Sequence, residues 1–217
     1  MKQNHLVLIP CLLLLAPLKL TGQEAPNAWV PFTATRVEQY VLEGVGVLHG
    51  RVERIGLIAR DSHGNSYQEH KLGKNSTSLP VLGLTNDVIL HDRTQHIVYV
   101  IDTSRKLFRK LQPDTNDMSI TPLNREQFDQ AHKGETFLGK KIISGVDCEG
   151  YQSHARFSKK YFNETWYAPS LNFLVVKAVI HNSPDQALQV SLEDLRVGAE
   201  PDPSLFRLPE GFREVKR

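Results

Sequence analysis

Residues 88–111 read VILHDRTQHIVYVIDTSRKLFRKL. Two short apolar runs, Val88-Ile89-Leu90 and Ile97-Val98-Tyr99-Val100-Ile101, are followed by a mixed run, Lys106 to Leu111. Asp92-Arg93-Thr94-Gln95 separates the first two, and Asp102-Thr103-Ser104 separates the second from the third. β-Branched and aromatic runs this short, punctuated by turn residues, predict an antiparallel meander.

The same pattern extends in both directions. Thr35 to Leu48 is rich in β-branched residues, with alternation such as Val45-Gly46-Val47, and Gly50 breaks it. Arg51 to Arg60 follows. Asp61-Ser62-His63-Gly64 then reads as a turn into Asn65 to His70, a second hairpin. Residues 71–80 form a polar loop. Downstream, Lys141 to Val146 and Asp147 to Phe157 are separable runs around Gly145 and Gly150. Glu164 to Tyr167 leads into an Ala168-Pro169-Ser170 turn. Asn172 to His181 and Ala187 to Val197 flank Ser183-Pro184-Asp185-Gln186, another hairpin. After Glu200-Pro201-Asp202-Pro203, the apolar residues Leu205, Phe206, Leu208 and Phe212 are placed to pin an irregular or one-turn tail to the body.

One segment has helical spacing. Thr121 is a capping residue, Pro122 suits a first helical position, and Gly134 suits a terminator. Leu123, Phe128 and Ala131 fall near one side. The spacing predicts a helix over 122–133, laid against the sheet. About nine strands and one helix give a mainly β (α+β) domain built on a large, curved antiparallel sheet.

The N-terminus reads as a secretory signal peptide over residues 1–22. Lys2 supplies the positive start, Leu6 to Leu18 the apolar stretch, and Thr21-Gly22 a small-residue cleavage site. Thirteen apolar residues are too few to span a hydrocarbon core of roughly 30 Å as a helix. No later run approaches a span, so no transmembrane anchor is expected in the mature chain. Residues 23–217 then form a single domain, located in the periplasm or outside the cell. The whole chain has 26 Lys+Arg and 24 Asp+Glu, and Lys2 and Lys19 lie in the leader. The mature chain is therefore neutral, with no global field for nucleic acid. Cys148 is its single cysteine, so no internal disulfide is available. Asn75-Ser76-Thr77 and Asn163-Glu164-Thr165 fit the glycosylation pattern, which matters only in a eukaryotic secretory route.

Three stretches resemble a group of secreted bacterial proteins of the kind found in acidobacteria. The first is Ile58-Ala59-Arg60-Asp61-Ser62-His63-Gly64. The second runs from Leu138 and Gly139 through Ile143, Gly145 and Val146 to Glu149-Gly150. The third pairs residues 164–171 (ETWYAPSL) with residues 200–206 (EPDPSLF). The likeness covers about residues 32–212. It departs after Gly64, where Asn65-Ser66-Tyr67 replaces an Arg-rich run, and between residues 157 and 163, where the link is shorter. The strand order, single helix and closing tail are also similar to the wider LolA/LolB superfamily of lipoprotein carriers. That resemblance implies an open half-barrel whose helices cover an apolar cavity. It supplies no catalytic residues.

Several residue groups invite a chemical reading. Cys148 with His154 or His181 would make a nucleophile only with a lowered thiol pKa and a positioned base. A lone strand cysteine is more often a small buried apolar group. His91, Asp92 and His96 straddle a turn, with no fourth metal ligand evident. Glu149 and Glu164 cannot be set at a glycosidase separation from sequence. No hydrolase, metalloprotease, phosphate-loop or dinucleotide fingerprint is present, so no cofactor and no metal are expected. Basic pairs at 105–106, 109–110, 140–141 and 159–160 suit an anionic headgroup patch, or solvated strand edges.

The expectation is an exported, non-enzymatic binding protein that holds a lipid, a lipoprotein acyl chain or another hydrophobic ligand. Candidate cavity walls are Val45, Val47, Leu57, Val98, Val100, Ile143, Trp166, Phe173 and Val175, with Phe128 in the lid. Trp166 and Tyr167 are adjacent on a strand, so one of them faces inward. The alternatives are an envelope interaction or sensor module that presents the sheet to a protein partner, and a hydrolase on a β scaffold.

Overall fold

The computed structural model describes residues 29–42, 52–72, 87–113, 124–155, 157–184 and 186–215. The first half contains β1 (Phe32–Leu42), β2 (Val52–Arg60), β3 (Ser66–Leu72), β4 (Asp87–Asp92), β5 (Ile97–Asp102) and β6 (Leu107–Leu111). The helix α1 (Arg125–Ala131) follows. The second half contains β7 (Thr136–Ile143), β8 (Val146–Ala155), β9 (Ser158–Ala168), β10 (Leu174–Ser183), β11 (Gln186–Val197) and a two-residue β12 (Arg213–Glu214).

Among the described residues, these twelve strands form one sheet in the order β12-β6-β5-β4-β3-β2-β1-β11-β10-β9-β8-β7. Every pairing is antiparallel except β12 with β6. Chain neighbours pair with each other until β1, which pairs with β11 on its other side, from Phe32↔Val197 to Leu42↔Gln186. That long-range pairing places the first strand mid-sheet and joins two meanders. The result is an open, curved half-barrel with one α-helix among the described residues. The sequence predicts about nine strands and the sheet has twelve among the described residues: the Lys141 to Val146 run is not one strand but spans the turn at Ser144-Gly145 between β7 and β8, and the tail adds β12.

The turns follow the sequence. Asp92 Oδ1 accepts from Gln95 N at 2.9 Å, and Asp102 Oδ1 accepts from Arg105 N at 2.9 Å and Ser104 Oγ at 2.6 Å. Asp61 Oδ1 accepts from His63 N and Asn65 N, and Asp61 Oδ2 from Asn65 Nδ2, which closes the β2–β3 hairpin.

The helix is shorter than its spacing predicts. Asn124 is the N-cap and forms a capping box with Gln127. The proposed cap Thr121, Pro122 and Leu123 lie outside the described residues. Phe128 is the residue α1 buries, whereas Ala131 is exposed.

Two apolar clusters hold the sheet. One gathers Phe32, Ala34, Cys148, Trp166, Ala168, Leu171, Val176 and Leu192. The β7–β8 hairpin tip folds onto it: Ile143 and Val146 pack there, and Ser144 Oγ donates to the Leu192 carbonyl at 2.5 Å. The other gathers Val88, Leu90, Tyr99, Ile101 and Phe108, covered by the tail residues Phe206, Leu208 and Phe212. The tail is pinned as its apolar spacing predicts, with Asp202 capping a 3-10 turn over Pro203–Phe206.

Candidate functional site

The site begins with a strand irregularity. β10 pairs with β9 as Val175↔Tyr167 and then as Lys177↔Trp166, so β10 carries one extra residue at Val176. Such a bulge re-aims side chains. Just before it, the 3-10 turn Pro169–Leu171 ends in two left-handed residues, Asn172 (φ 59°) and Phe173 (φ 61°). A bulky side chain rarely adopts this conformation. It is held by Asn172 N→Pro169 O at 3.2 Å and Phe173 N→Ala168 O at 3.0 Å. The consequence is that Phe173 stands up from the sheet toward α1.

Phe128 meets it there. The two rings are stacked, and Phe128 also packs edge-on against Tyr151 and Tyr167, at 5.4 and 5.0 Å between centroids. His132 completes the group, 4.3 Å from Phe128. An ion pair anchors the helix from outside: Arg125 reaches both carboxylate oxygens of Glu149, at 2.5 and 3.1 Å, and Lys140 adds a contact at 3.2 Å. Arg125, then Lys140, holds the Glu149 carboxyl below its ordinary pKa. Burial pushes the Tyr167 hydroxyl up to about 12.

Beneath this roof lies a cavity of about 400 Å³. It extends from Phe128, Tyr167 and Phe173 across Ala178, Val190 and Leu192 to Phe32, Ile58 and Trp29. The walls are mainly apolar or aromatic. Arg36, Arg60, Gln68, His91, His132 and Asn172 add polar points. The volume and character match small-molecule sites, which run from roughly 300 to 1,000 Å³ and are mostly apolar.

The predicted wall residues distribute unevenly. Phe128, Phe173 and Val175 line the cavity. Val45 and Val47 lie outside the described residues. Leu57 pairs with Thr35 and is half-buried, and it does not line the cavity, whereas its neighbour Ile58 does. Val98 is buried opposite His91, and Val100 is half-buried opposite Ile89. Neither of them lines the cavity. Ile143 packs on the cluster around Trp166. Trp166 itself is away from the cavity, and Tyr167 takes the inward position. Trp166 lies over Gly150, donates Nε1 to Glu164 at 2.5 Å, and carries Lys141 Nζ 3.3 Å from its ring centroid. The sequence does not single out Trp29, Arg60, Tyr167, Ala178 or Val190 as lining residues, and all five line the cavity.

The residues that invite a chemical reading are otherwise engaged. Cys148 is 1% exposed, its Sγ bonds to the Val146 carbonyl, and burial pushes its thiol pKa up. His154 Nδ1 and His181 Nδ1 bond instead to the carbonyls of Lys159 and Phe162. Glu164 is committed to Trp166 and Lys141. His91 borders the cavity while His96 is exposed in its turn, and no group of three or more His, Cys, Asp or Glu among the described residues is arranged to hold a metal. Lys110, Lys140, Lys141 and Arg105 each pair with a carboxylate, so these basic residues are spread over separate ion pairs.

No protein-family model and no curated protein sequence matches the chain. Among solved structures, it is similar to an uncharacterized conserved protein from Thermus thermophilus. The identity is 9% and the TM-score 0.53, with 86% of this chain and 90% of that chain covered. It is also similar to Pseudomonas aeruginosa MucB, solved with MucA, at 13% identity and TM-score 0.44, covering 82% of this chain and 55% of that one. The lipoprotein LppX of Mycobacterium tuberculosis gives 9% identity and TM-score 0.38, covering 78% and 88%. The first likeness establishes a shared fold. The scores of the other two are too low to transfer anything from those proteins to this chain.

Proposed function

We propose that this chain is an exported, non-enzymatic binding protein that holds a hydrophobic ligand, such as an acyl chain, between α1 and the half-barrel. The observation that carries the reading is the cavity of about 400 Å³ under the Phe128–Phe173 roof. An acyl chain entering it would gain about 0.8 kcal/mol per buried CH₂. Several methylenes suffice for a useful affinity at that rate. α1 is a seven-residue helix that covers the cavity through aromatic contacts and one ion-pair cluster. The leader-like N-terminus supports export, and no helix among the described residues is long and apolar enough to cross a membrane.

Delipidated protein titrated with a fluorescent fatty-acid analogue tests the proposal. Saturable binding, competed by unlabelled fatty acid, is the expected result. A linear, non-saturating signal contradicts it.

A second reading, an envelope protein-interaction module, draws on the β7 edge. This strand ends the sheet and exposes Phe137 (51%) and Ile142 (73%). An edge strand with exposed apolar side chains is a template for strand addition. Ile142→Lys would abolish capture of an envelope partner on that reading and leave fatty-acid binding intact.

A further inference from the structure

Arg60 is 6% exposed and borders the cavity. Its Nε and Nη2 donate to the Val30 carbonyl at 3.2 and 3.0 Å, and Nη2 also reaches the Leu171 carbonyl at 2.9 Å and Asn172 Oδ1 at 3.0 Å. All of these acceptors are neutral. The rings of Trp29 and Phe32 flank the guanidinium at 4.6 and 5.0 Å. Among the described residues, no ion pair includes Arg60, and none of its hydrogen bonds uses Nη1. The adjacent carboxylate does not serve it, because Asp61 is engaged with His63 and Asn65 across its own hairpin. The other arginine at the cavity, Arg36, differs: Glu38 neutralises it at 2.7 Å.

Buried charges are ordinarily paired. Here a cation is fixed in orientation, desolvated and, among the described residues, left without a counter-charge at the edge of an apolar cavity. Burial lowers its pKa to about 10, a shift that an approaching anion would reverse. We propose that Arg60 is the headgroup site of this cavity, and that the ligand is a single-chain amphiphile with a carboxylate head. The head bonds to Nη1, and the chain extends along Ile58 and Val190 toward Phe173 and Phe128. The inference rests on the hydrophobic-ligand reading above and adds its polarity and direction.

The test uses three amphiphiles of equal chain length on the wild-type protein: laurate, 1-dodecanol and dodecyltrimethylammonium. A charge-assisted hydrogen bond in a dry site should make laurate bind about tenfold or more tighter than dodecanol. The ammonium should bind weakest. Arg60→Gln, checked for folding by circular dichroism, should abolish the preference for laurate over dodecanol. Equal affinities for laurate and dodecanol on the wild type overturn the headgroup site and leave the cavity standing. So does a laurate preference that survives in folded Arg60→Gln. Failure of all three amphiphiles to bind overturns the cavity reading, and this inference with it. If Arg60→Gln does not fold, the wild-type series decides alone.

Discussion

Phe128 of α1 lies flat on Phe173, with ring centroids 4.0 Å apart and planes 14° from parallel. One ring comes from the short helix and the other from a left-handed turn residue before β10. This contact joins the helix to the sheet over the cavity. Phe128→Ala should therefore destabilise the protein by about 3 kcal/mol or more, as large-to-small changes at buried aromatics do. Denaturant unfolding measures the loss, and a change below about 1 kcal/mol would show that α1 is not docked this way.

The ion pair outside the lid makes a pH prediction. The Glu149 carboxyl is held below its ordinary value by Arg125 and then Lys140. A depressed carboxylate contributes stability that is present above its unfolded pKa and is lost as pH falls through the folded one. Glu149→Gln should lower the melting temperature near neutral pH. The gap from wild type should close as pH falls below the ordinary glutamate range. A gap that stays constant with pH would assign the effect to packing instead.

Gly150 is where a strand accommodates Trp166. A Cβ at this position would fall 2.6 Å from Trp166 Cη2. Gly150→Ala should cost about 1–3 kcal/mol, the usual range for overpacking. Tryptophan fluorescence should shift as the ring is displaced from its seat between Gly150 and Lys141. An unchanged denaturation midpoint would contradict the close approach.

Cys148 should be inert in the native protein. It is buried and its thiol pKa is raised, so both access and thiolate fraction are low. A chromogenic disulfide reagent should react with it only after unfolding. Prompt stoichiometric reaction in the folded state would reopen the nucleophile reading.

The meander is legible in the sequence because its turns are written in local chemistry. Asp92 and Asp102 accept the hydrogen bonds that their neighbours predict. The tail is legible because Phe206, Leu208 and Phe212 are too apolar to be left in solvent. Spacing alone puts the helix cap at Thr121, but Asn124 offers the same chemistry three residues later and Gln127 completes it. The cavity is legible only in part. Alternation states that Trp166 and Tyr167 face opposite ways, but the choice of inward residue depends on sheet register and on the Val176 bulge. Neither is a local property. Arg60 reads as an ordinary strand arginine before a turn. Its burial arises from Val30 and Leu171, 30 and 111 residues away, which sequence spacing does not bring together.

Ligand binding in the cavity under Phe128 and Phe173 is the proposition on which the function rests, and filling that space is the decisive test. Ala178 and Val190 form part of the cavity wall, are 2% and 7% exposed, and pair with each other across β10 and β11. Val190→Trp would occupy the cavity from the floor. The measurement is fluorescent fatty-acid titration of this variant beside wild type, with circular dichroism to confirm the sheet. The expected outcome is a folded protein whose saturable binding is lost or reduced about tenfold or more, as follows when several buried methylenes are excluded. A folded Val190→Trp protein that binds with wild-type affinity would contradict it.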